Sequence, residues 1–357
     1  MAYTDLLNAK YIALAWEEAA NANPTDYLGA RLFGFKKQMS LEMKWLKGAG
    51  GLPVALAPAA FDAEIALRGR IDAAKVETEM PLFREGIQLT ESDRRALMEA
   101  AALGDSYAQD VLTRIFNDTN NLIRGAKVVP ERMIWQLLAP TDGKPKISIA
   151  GNDVNYAYDY DPKGTWYANN FIDGSSTPWS AAATAKPIDD FIKVGETAKA
   201  KGNTPKYAIM SQKTMTEMMN TAQVKSAALA QNVTANVFMT PEVAKSVVES
   251  ITGIRPIVYN AIYAGDDGKP QQFMPDKVVS IIPEGMLGNT VYAMTSEEYE
   301  LKGDGNKNVA IVDGGISVTT VETSAMPPRV ATYASEIVLP SYERMDEVFE
   351  LKVDADE

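Results

Sequence analysis

The stretch between residues 29 and 89 contains too many glycines and prolines to form long helices. These helix breakers stand at Gly48, Gly50, Gly51, Pro53, Pro58, Gly69, Pro81 and Gly86. Short runs typical of β-strands lie among them, at residues 64–70 and 75–80. Loops of this length are uncommon in a compact monomer unless they are functional. We therefore expect an extended hairpin that finds its burial against a neighbouring chain.

The remainder of the chain mixes helical and strand patterns, which indicates the α+β class. Apolar residues at helical spacing predict helices at 3–20, 90–123, 131–138, 187–199, after Ser211, and at 241–251. Gly125 and Pro130 are expected to interrupt the longest of these helical tracts. A hairpin is predicted at 146–149 and 154–160, and further strands at 206–210, 256–264, 277–282, 290–295, 308–312, 316–321, 330–339 and 347–353.

The chain contains no cysteine and no histidine. This excludes disulfides, thiolate nucleophiles, cysteine or histidine metal ligands, and Ser-His-Asp catalysis. Any catalysis would depend on carboxylates, Lys, Tyr, Ser or Thr alone. We therefore expect a protein that is not an enzyme and that needs no metal or cofactor.

The charge and hydropathy of the chain limit the kinds of partner it can have. Its 35 basic and 47 acidic residues give a net charge of −12, which argues against wrapping by nucleic acid through a basic face. The longest uncharged apolar stretch, at 48–61, carries two prolines and is shorter than the ~20 residues that a membrane helix needs. Asp5 and Lys10 interrupt what would be the core of a signal peptide. We expect a soluble, cytoplasmic protein without a membrane segment.

Two groups of carboxylates could support acid–base chemistry. Asp189 and Asp190 fall in the first turn of a predicted helix, where negative charge stabilises the helix dipole. Glu297, Glu298 and Glu300 precede a predicted strand and are expected to form a solvated face. A structural role is favoured for both groups.

A series of short motifs runs along nearly the whole chain. In order they are RLF at 31–33, GLPVALAP at 51–58, RGR at 68–70, WQLL at 135–138, GK at 143–144, WS at 179–180, PIDD at 187–190, MPD at 274–276 and GNT at 288–290, followed by a strand-like tail at 327–348. This ordered set resembles the major capsid proteins of tailed double-stranded-DNA phages, and the tail resembles the final strands of that family. The resemblance is to the lambda-type branch of the Hong Kong-type capsid fold.

The resemblance implies a division of the chain into five segments. These are an N-terminal arm (1–30), an extended β-hairpin loop (31–89), a peripheral domain with a long spine helix and a β-hairpin (90–185), an axial domain (186–325), and C-terminal strands that return to the peripheral domain (326–357).

The resemblance also implies an assembly function. Copies of the chain would form hexamers and pentamers of an icosahedral shell, which encloses double-stranded DNA without sequence-specific binding. Assembly would take place in the host cytoplasm, with a portal and a separate scaffolding protein, since few residues precede Arg31. A trimeric decoration protein reinforces lambda-type shells, and that partner is left open here.

Contacts between subunits are expected to centre on the extended loop and its base. The residues expected there are Arg31, Phe33, Trp45, Leu52, Leu56, Phe61, Arg68, Arg70 and Lys75. Some relatives cross-link a loop lysine to an asparagine. Lys44, Lys47 and Lys75 lie in the corresponding region, but no motif supports that reaction, and solvated lysines are favoured.

Two alternatives stay open. The first is an encapsulin-like cellular compartment shell, which shares the fold but would carry a cargo-binding surface near its amino terminus. The second is a carboxylate-dependent hydrolase that uses Asp189 with Asp190, or Glu297 with Glu298.

Overall fold

The structure is a computed structural model of the chain. It describes residues 9–22, 26–47, 74–92, 95, 106–151, 154–231, 239–265, 267–301, 308–323 and 329–354. The chain divides into two compact units. Unit 1 comprises Met1–Lys44, Glu77–Arg132 and Asn289–Ser341, and unit 2 comprises Trp45–Val76, Met133–Gly288 and Tyr342–Glu357.

Helices account for much of both units. Within the described residues they are α1 (Ala9–Ala22), α2 (Leu28–Leu32), α3 (Ser106–Leu138), α4 (Thr165–Asn170), α5 (Pro187–Ala200), α6 (Gln212–Asn220), α7 (Ala222–Gln231) and α8 (Pro241–Thr252). A π-helical turn spans Glu297–Leu301, and a 3₁₀ turn spans Met345–Glu347.

Strands fill most of the remaining described chain. They are β1 (Phe33–Gln38), β2 (Glu42–Lys47), β3 (Ala74–Glu79), β4 (Leu82–Gln88), β5 (Lys146–Gly151), β6 (Val154–Asp159), β7 (Phe171–Asp173), β8 (Pro205–Met210), β9 (Arg255–Val258), β10 (Ile262–Ala264), β11 (Pro270–Gln272), β12 (Val278–Pro283), β13 (Gly288–Ala293), β14 (Val309–Val312), β15 (Ile316–Thr323), β16 (Arg329–Ser341) and β17 (Phe349–Lys352).

Unit 1 is built on a six-stranded sheet around the long strand β16. One edge of β16 pairs with β4, and the opposite edge pairs first with β15 and then with β13. The sheet continues to β1 beside β13 and to β14 beside β15. One face packs on α1 and α3 through a core of Ile12, Trp16, Leu122, Ile123, Val312, Ile316, Val318 and Ala334.

Unit 2 is built on a five-stranded sheet in the order β7-β17-β12-β8-β9. β12 is antiparallel to β8 and β17, and β8 is parallel to β9. Such a parallel pair needs a crossover, which α6, α7 and α8 supply. All six residues of β12 are buried, as expected for a central strand covered on both faces.

Local signals fix several elements where the sequence predicts them. The Ser211 hydroxyl accepts a hydrogen bond from the Thr214 amide at the start of α6. Thr240 caps α8 through the Val243 amide at 3.3 Å, and Gly253 ends this helix with a positive φ of 74°. The predictions of these helices and of the hairpin β5–β6 are confirmed.

Two predicted boundaries are wrong. α3 runs through Gly125 and Pro130 without a break. Burial of Met133, Ile134 and Trp135 in the next turn outweighs the ~3 kcal/mol that an internal proline costs. The strand predicted at 256–264 is two strands, β9 and β10, since only the first joins the five-stranded sheet.

The excursion between residues 29 and 89 starts and ends in the sheet of unit 1. β1 lies beside β13, β4 lies beside β16, and between them the chain forms the two-stranded ladder of β2 with β3. The strand predicted at 75–80 is confirmed, and the run at 64–70 lies outside the described residues.

The five predicted segments do not coincide with the two units. Residues 289–323 belong to unit 1 with β16, and β17 belongs to unit 2. The units are divisions by contact, whereas arm, loop, peripheral and axial domain are divisions by role in an assembly. The latter remain predictions.

Candidate assembly surfaces

The bend between β1 and β2 is held by the Gln38 side chain. Its amide nitrogen donates to the carbonyl oxygens of Ser40 at 2.7 Å and Glu42 at 3.0 Å. The Met80 amide donates to the Leu41 carbonyl at 3.0 Å. The outgoing and returning strands are therefore tied together where they leave the sheet.

Lys44 connects β2 and β3 within unit 1. Its ammonium lies 2.7 Å from Glu77 Oε1 and 3.0 Å from Glu42 Oε2. The hydrogen bonds to Glu77 and Glu42 raise the pKa of Lys44 above its ordinary value. Because all three side chains are exposed, the contacts favour one register of the ladder more than they add stability.

The π-helical turn receives an ion pair from each of the two strands that enter and leave the loop. The Lys37 ammonium on β1 donates to both oxygens of Glu298, at 2.8 and 2.7 Å, and Arg84 on β4 pairs with Glu297. Glu298 is only 7% exposed. The prediction that these glutamates form a solvated face is therefore wrong for Glu298, because the fold places a lysine from far along the chain against it.

A buried carboxylate holds the segment that precedes the loop. Glu131 on α3 accepts hydrogen bonds from the backbone amides of Gly29 at 2.9 Å and Ala30 at 3.2 Å, in the first turn of α2. The Glu131 carboxylate occupies the space that a side chain at residue 29 would need. Gly29 is thus required by close approach, and the chain enters β1 from a fixed position.

The N-terminal helix α1 packs on its own chain. The Trp16 indole donates to Asp313 at 3.4 Å, and the Lys127 ammonium lies 3.0 Å from the other oxygen of Asp313. The opposite side of the helix exposes Tyr11 and Leu14.

The structure places the predicted interface residues in different surroundings. Arg31 is exposed and paired with Asp26, whereas Phe33 is buried within unit 1. Trp45 is buried in unit 2, with its ring 5.6 Å from that of Tyr160. The backbone of Lys75 lies in β3, and Leu52, Leu56, Phe61, Arg68 and Arg70 lie outside the described residues.

Exposed apolar side chains cluster in sequence at the base of the loop. Phe35, Met39 and Leu41 are 56%, 72% and 46% exposed. Phe35 lies against Tyr292, with ring centroids 5.2 Å apart. These residues are not recognisable from the sequence, because no local pattern distinguishes an apolar side chain that stays exposed from one that is buried.

Asp189 and Asp190 both accept hydrogen bonds from other side chains. The side-chain amide of Gln223 donates to Asp189 at 2.7 Å, and the Trp179 indole donates to Asp190 at 2.9 Å. Burial raises the pKa of Asp190 above its ordinary value. Both residues lie in the first turn of α5, as predicted.

Among the described parts of the chain, no group of three or more His, Cys, Asp or Glu side chains could hold a metal ion. No helix there is long and apolar enough to cross a membrane.

Glu336 on β16 is a buried carboxyl directly opposite Phe83 of the loop-bearing strand β4. Neither of its oxygens has a hydrogen-bond partner among the described residues. Burial raises the pKa of Glu336 well above its ordinary value. The carboxyl therefore stays protonated to higher pH in the folded chain than in the unfolded chain.

We expect Glu336→Gln to stabilise unit 1 at pH 8 by about 2 kcal/mol, because it removes the cost of protonating the buried carboxyl, or of burying its charge, on folding. The folded chain binds the proton more tightly, so the stability contributed by Glu336 is complete below about pH 4.5. It is lost as the pH rises through the raised pKa. The gain from Glu336→Gln should therefore shrink towards pH 4.5, which urea unfolding between pH 4.5 and 8 would measure.

Glu85→Gln is the matched control, because Glu85 is exposed on the neighbouring strand. It should change the unfolding free energy little at any pH. An equal effect of both substitutions at pH 8 would contradict the assignment of the pH dependence to Glu336.

Comparison with known proteins gives one family and several structures. The model of the family described as phage major capsid protein E matches residues 11–353. No curated protein sequence is significantly similar to the chain.

Solved structures that share the fold include the following two. A prophage protein of E. coli CFT073 described as a capsid protein has 13% identity and a TM-score of 0.60, and the match covers 97% of this chain and 99% of that chain. A phage-related protein from Bordetella bronchiseptica RB50 has 12% identity and a TM-score of 0.50, covering 95% and 96% of the two chains.

Proposed function

Because this chain belongs to the phage major capsid protein E family, we propose that copies of it assemble into hexamers and pentamers, which build the icosahedral shell around packaged phage DNA. The family match carries this proposal, because it spans nearly the whole chain. It favours a virion shell over a cellular compartment shell, and an assembly role over hydrolysis.

The loop base supports the assembly role on physical grounds. Ion pairs from Lys37 on β1 and Arg84 on β4 hold the two strands at the loop base on the π-helical turn of unit 1. The side chains of Phe35, Met39 and Leu41 beside it remain exposed. A rigid base that carries exposed apolar residues suits an element that is buried on a neighbouring subunit.

The repeated use of one surface on many subunits requires heterologous contacts, in which two different patches meet. We propose that the loop forms one of these patches. In it, Arg31 would contact the neighbour near the base. Lys75, at the far end of the β2–β3 ladder, would contact it farther along the loop, with Leu52, Leu56, Phe61, Arg68 and Arg70. Phe33 and Trp45 would support the loop from inside their own chain, since both are buried there.

In the proposed shell, each of the five predicted segments has its own role. Residues 1–30 would be the arm, 31–89 the loop, 90–185 the peripheral domain with α3 as its spine, and 186–325 the axial domain, with 326–357 returning to the peripheral domain. A scaffolding protein and a portal are the proposed partners, and a decoration protein stays an open alternative. The net charge of −12 fits a wall that does not bind phosphates tightly.

Negative-stain electron microscopy of the purified protein, together with its mass from light scattering, tests the proposal. The expected result is closed shells, or rings of five and six subunits, alone or with a scaffolding protein supplied by lysate of its source. A clean monomer under both conditions would contradict the proposal, because it would leave the exposed loop base without a role.

A further inference from the structure

Among the described residues, the hairpin β5–β6 in unit 2 has one edge that is covered and one that is unpaired. On the β5 side, the amide nitrogen of Gln136 donates to the Ser148 carbonyl at 3.1 Å, and the Ser148 amide donates to Gln136 Oε1 at 3.0 Å. The side chain of Gln136 therefore makes the two hydrogen bonds that a neighbouring strand would make. It closes the β5 edge from within the chain.

The same contacts show which backbone amides and carbonyls of β6 point away from β5. Because the backbone groups of Ser148 point to Gln136, Ser148 and its partner Ala157 form a pair without hydrogen bonds between them. The Tyr160 amide donates to the Pro145 carbonyl at 3.0 Å, which fixes the same alternation at the end of the strand. The amides and carbonyls of Asn155, Ala157 and Asp159 hence point away from β5, and all three residues are exposed.

In the described chain, no strand other than β5 pairs with β6. The strand also lacks the features that keep edges from pairing. Its sequence VNYAYD is uncharged up to Asp159 and contains neither proline nor glycine. Its six register pairs with β5 show no bulge. The edge strand β4, by contrast, carries Arg84, Glu85 and Gly86.

We propose that β6 pairs edge to edge with β6 of a second copy of this chain, antiparallel and centred on Ala157. This inference rests on the proposed assembly into a shell, since it requires a second copy. The register is favoured for two physical reasons. Tyr156 of each copy lies opposite Tyr158 of the other, which gives two aromatic pairs. Asp159 of each copy lies opposite Asn155 of the other and not opposite another carboxylate. Aromatic cross-strand pairs stabilise such a ladder, and like charges directly opposite destabilise it.

This pairing is an isologous contact, in which each copy offers the same strand. It differs from the heterologous contact proposed for the loop, and the two contacts involve different strands. An icosahedral shell has two-fold axes, so contacts of both kinds fit one assembly.

Ala157→Cys tests the register directly, because the chain has no native cysteine. In the proposed ladder the two copies of residue 157 form a hydrogen-bonded pair, with Cα atoms about 5.5 Å apart. That distance lies within the range of disulfides. Mild oxidation of assembled shells should therefore yield a covalent dimer on a non-reducing gel. The yield should be about tenfold above that of Ala150→Cys, an equally exposed control on β5.

Ala157→Pro provides a second variant. The amide of residue 157 points outward, so proline removes no hydrogen bond of the hairpin but blocks an added strand. We expect normal circular dichroism of the unassembled protein, together with shells that fail to close or that dissociate at lower temperature.

The outcomes separate this inference from the proposed function. Shells of Ala157→Cys that form normally but give no more dimer than Ala150→Cys would overturn the β6 pairing and leave the shell function standing. Shells of Ala157→Pro as stable as those of the unmodified chain would overturn it as well. Failure of the unmodified chain to assemble would instead count against the shell function.

Discussion

Deletion of residues 48–61 is expected to abolish closed shells while both units stay folded. The deletion lies between β2, which ends at Lys47, and β3, which begins at Ala74. Residues 62–73 remain to join these strands. The contacts of Gln38, Met80 and Lys37 at the loop base lie outside the deletion. The proposed contact of the loop with the neighbouring subunit, here called the clasp, is lost while the sheet of unit 1 is kept. Assembly should therefore fail without unfolding.

Circular dichroism and thermal unfolding would report on the fold, and electron microscopy on the shells. A Gly/Ser segment of the same length in place of residues 48–61 is the matched control. It keeps the length of the loop and removes Leu52, Leu56 and Phe61. Shells should fail here too if those side chains make the contact. Normal shells from the deletion variant would refute the clasp assignment.

Glu131→Ala is expected to destabilise unit 1 by about 2–3 kcal/mol, because it leaves the amides of Gly29 and Ala30 without their carboxylate acceptor. The Gly29 amide is buried, so water replaces the lost hydrogen bond poorly. Urea unfolding of the unassembled protein measures this loss. Glu131→Gln should cost less, since its amide oxygen can still accept one of the two bonds.

A double-mutant cycle distinguishes this contact from a general effect of truncation. Gly29→Ala alone should be destabilising, because its methyl group would overlap the Glu131 carboxylate. In the Glu131→Ala background the space is vacated, so the same substitution should cost much less. The coupling energy between the two sites should therefore be favourable by about 1 kcal/mol or more. Additive effects would show that Glu131 does not hold the α2 segment in this way.

The short-range features of the fold could be predicted from the residues themselves. The caps Ser211 and Thr240, and the proline at the start of α8, act within one helical turn, so their positions along the chain define the helix ends. The hairpin β5–β6 follows from the alternation of Tyr156 and Tyr158 with smaller residues. The helix breakers at residues 29–89 likewise predicted strands instead of long helices there, and β1 to β4 confirm this for the described part.

The candidate assembly surfaces depended more on tertiary structure. The family resemblance indicated where to look for the loop, but not which residues hold it. Glu131 lies about a hundred positions from Gly29, and Glu298 lies even farther from Lys37. No local pattern marks either glutamate as buried. The continuity of α3 through Pro130 also depends on tertiary structure, because the turn after the proline is stabilised by its burial.

The α+β class and most element types follow from the order of the residues alone. Periodicity, capping and helix breakers are properties of neighbours along the chain, and they act before the chain is compact. Contacts that form only on folding determine which charged groups are buried, that Lys37 and Arg84 pair with the π-helical turn, and that Gln136 covers one edge of a hairpin whose other edge is unpaired among the described residues. Those features depend on groups that meet only after folding, when burial sets the strength of each charge and hydrogen bond.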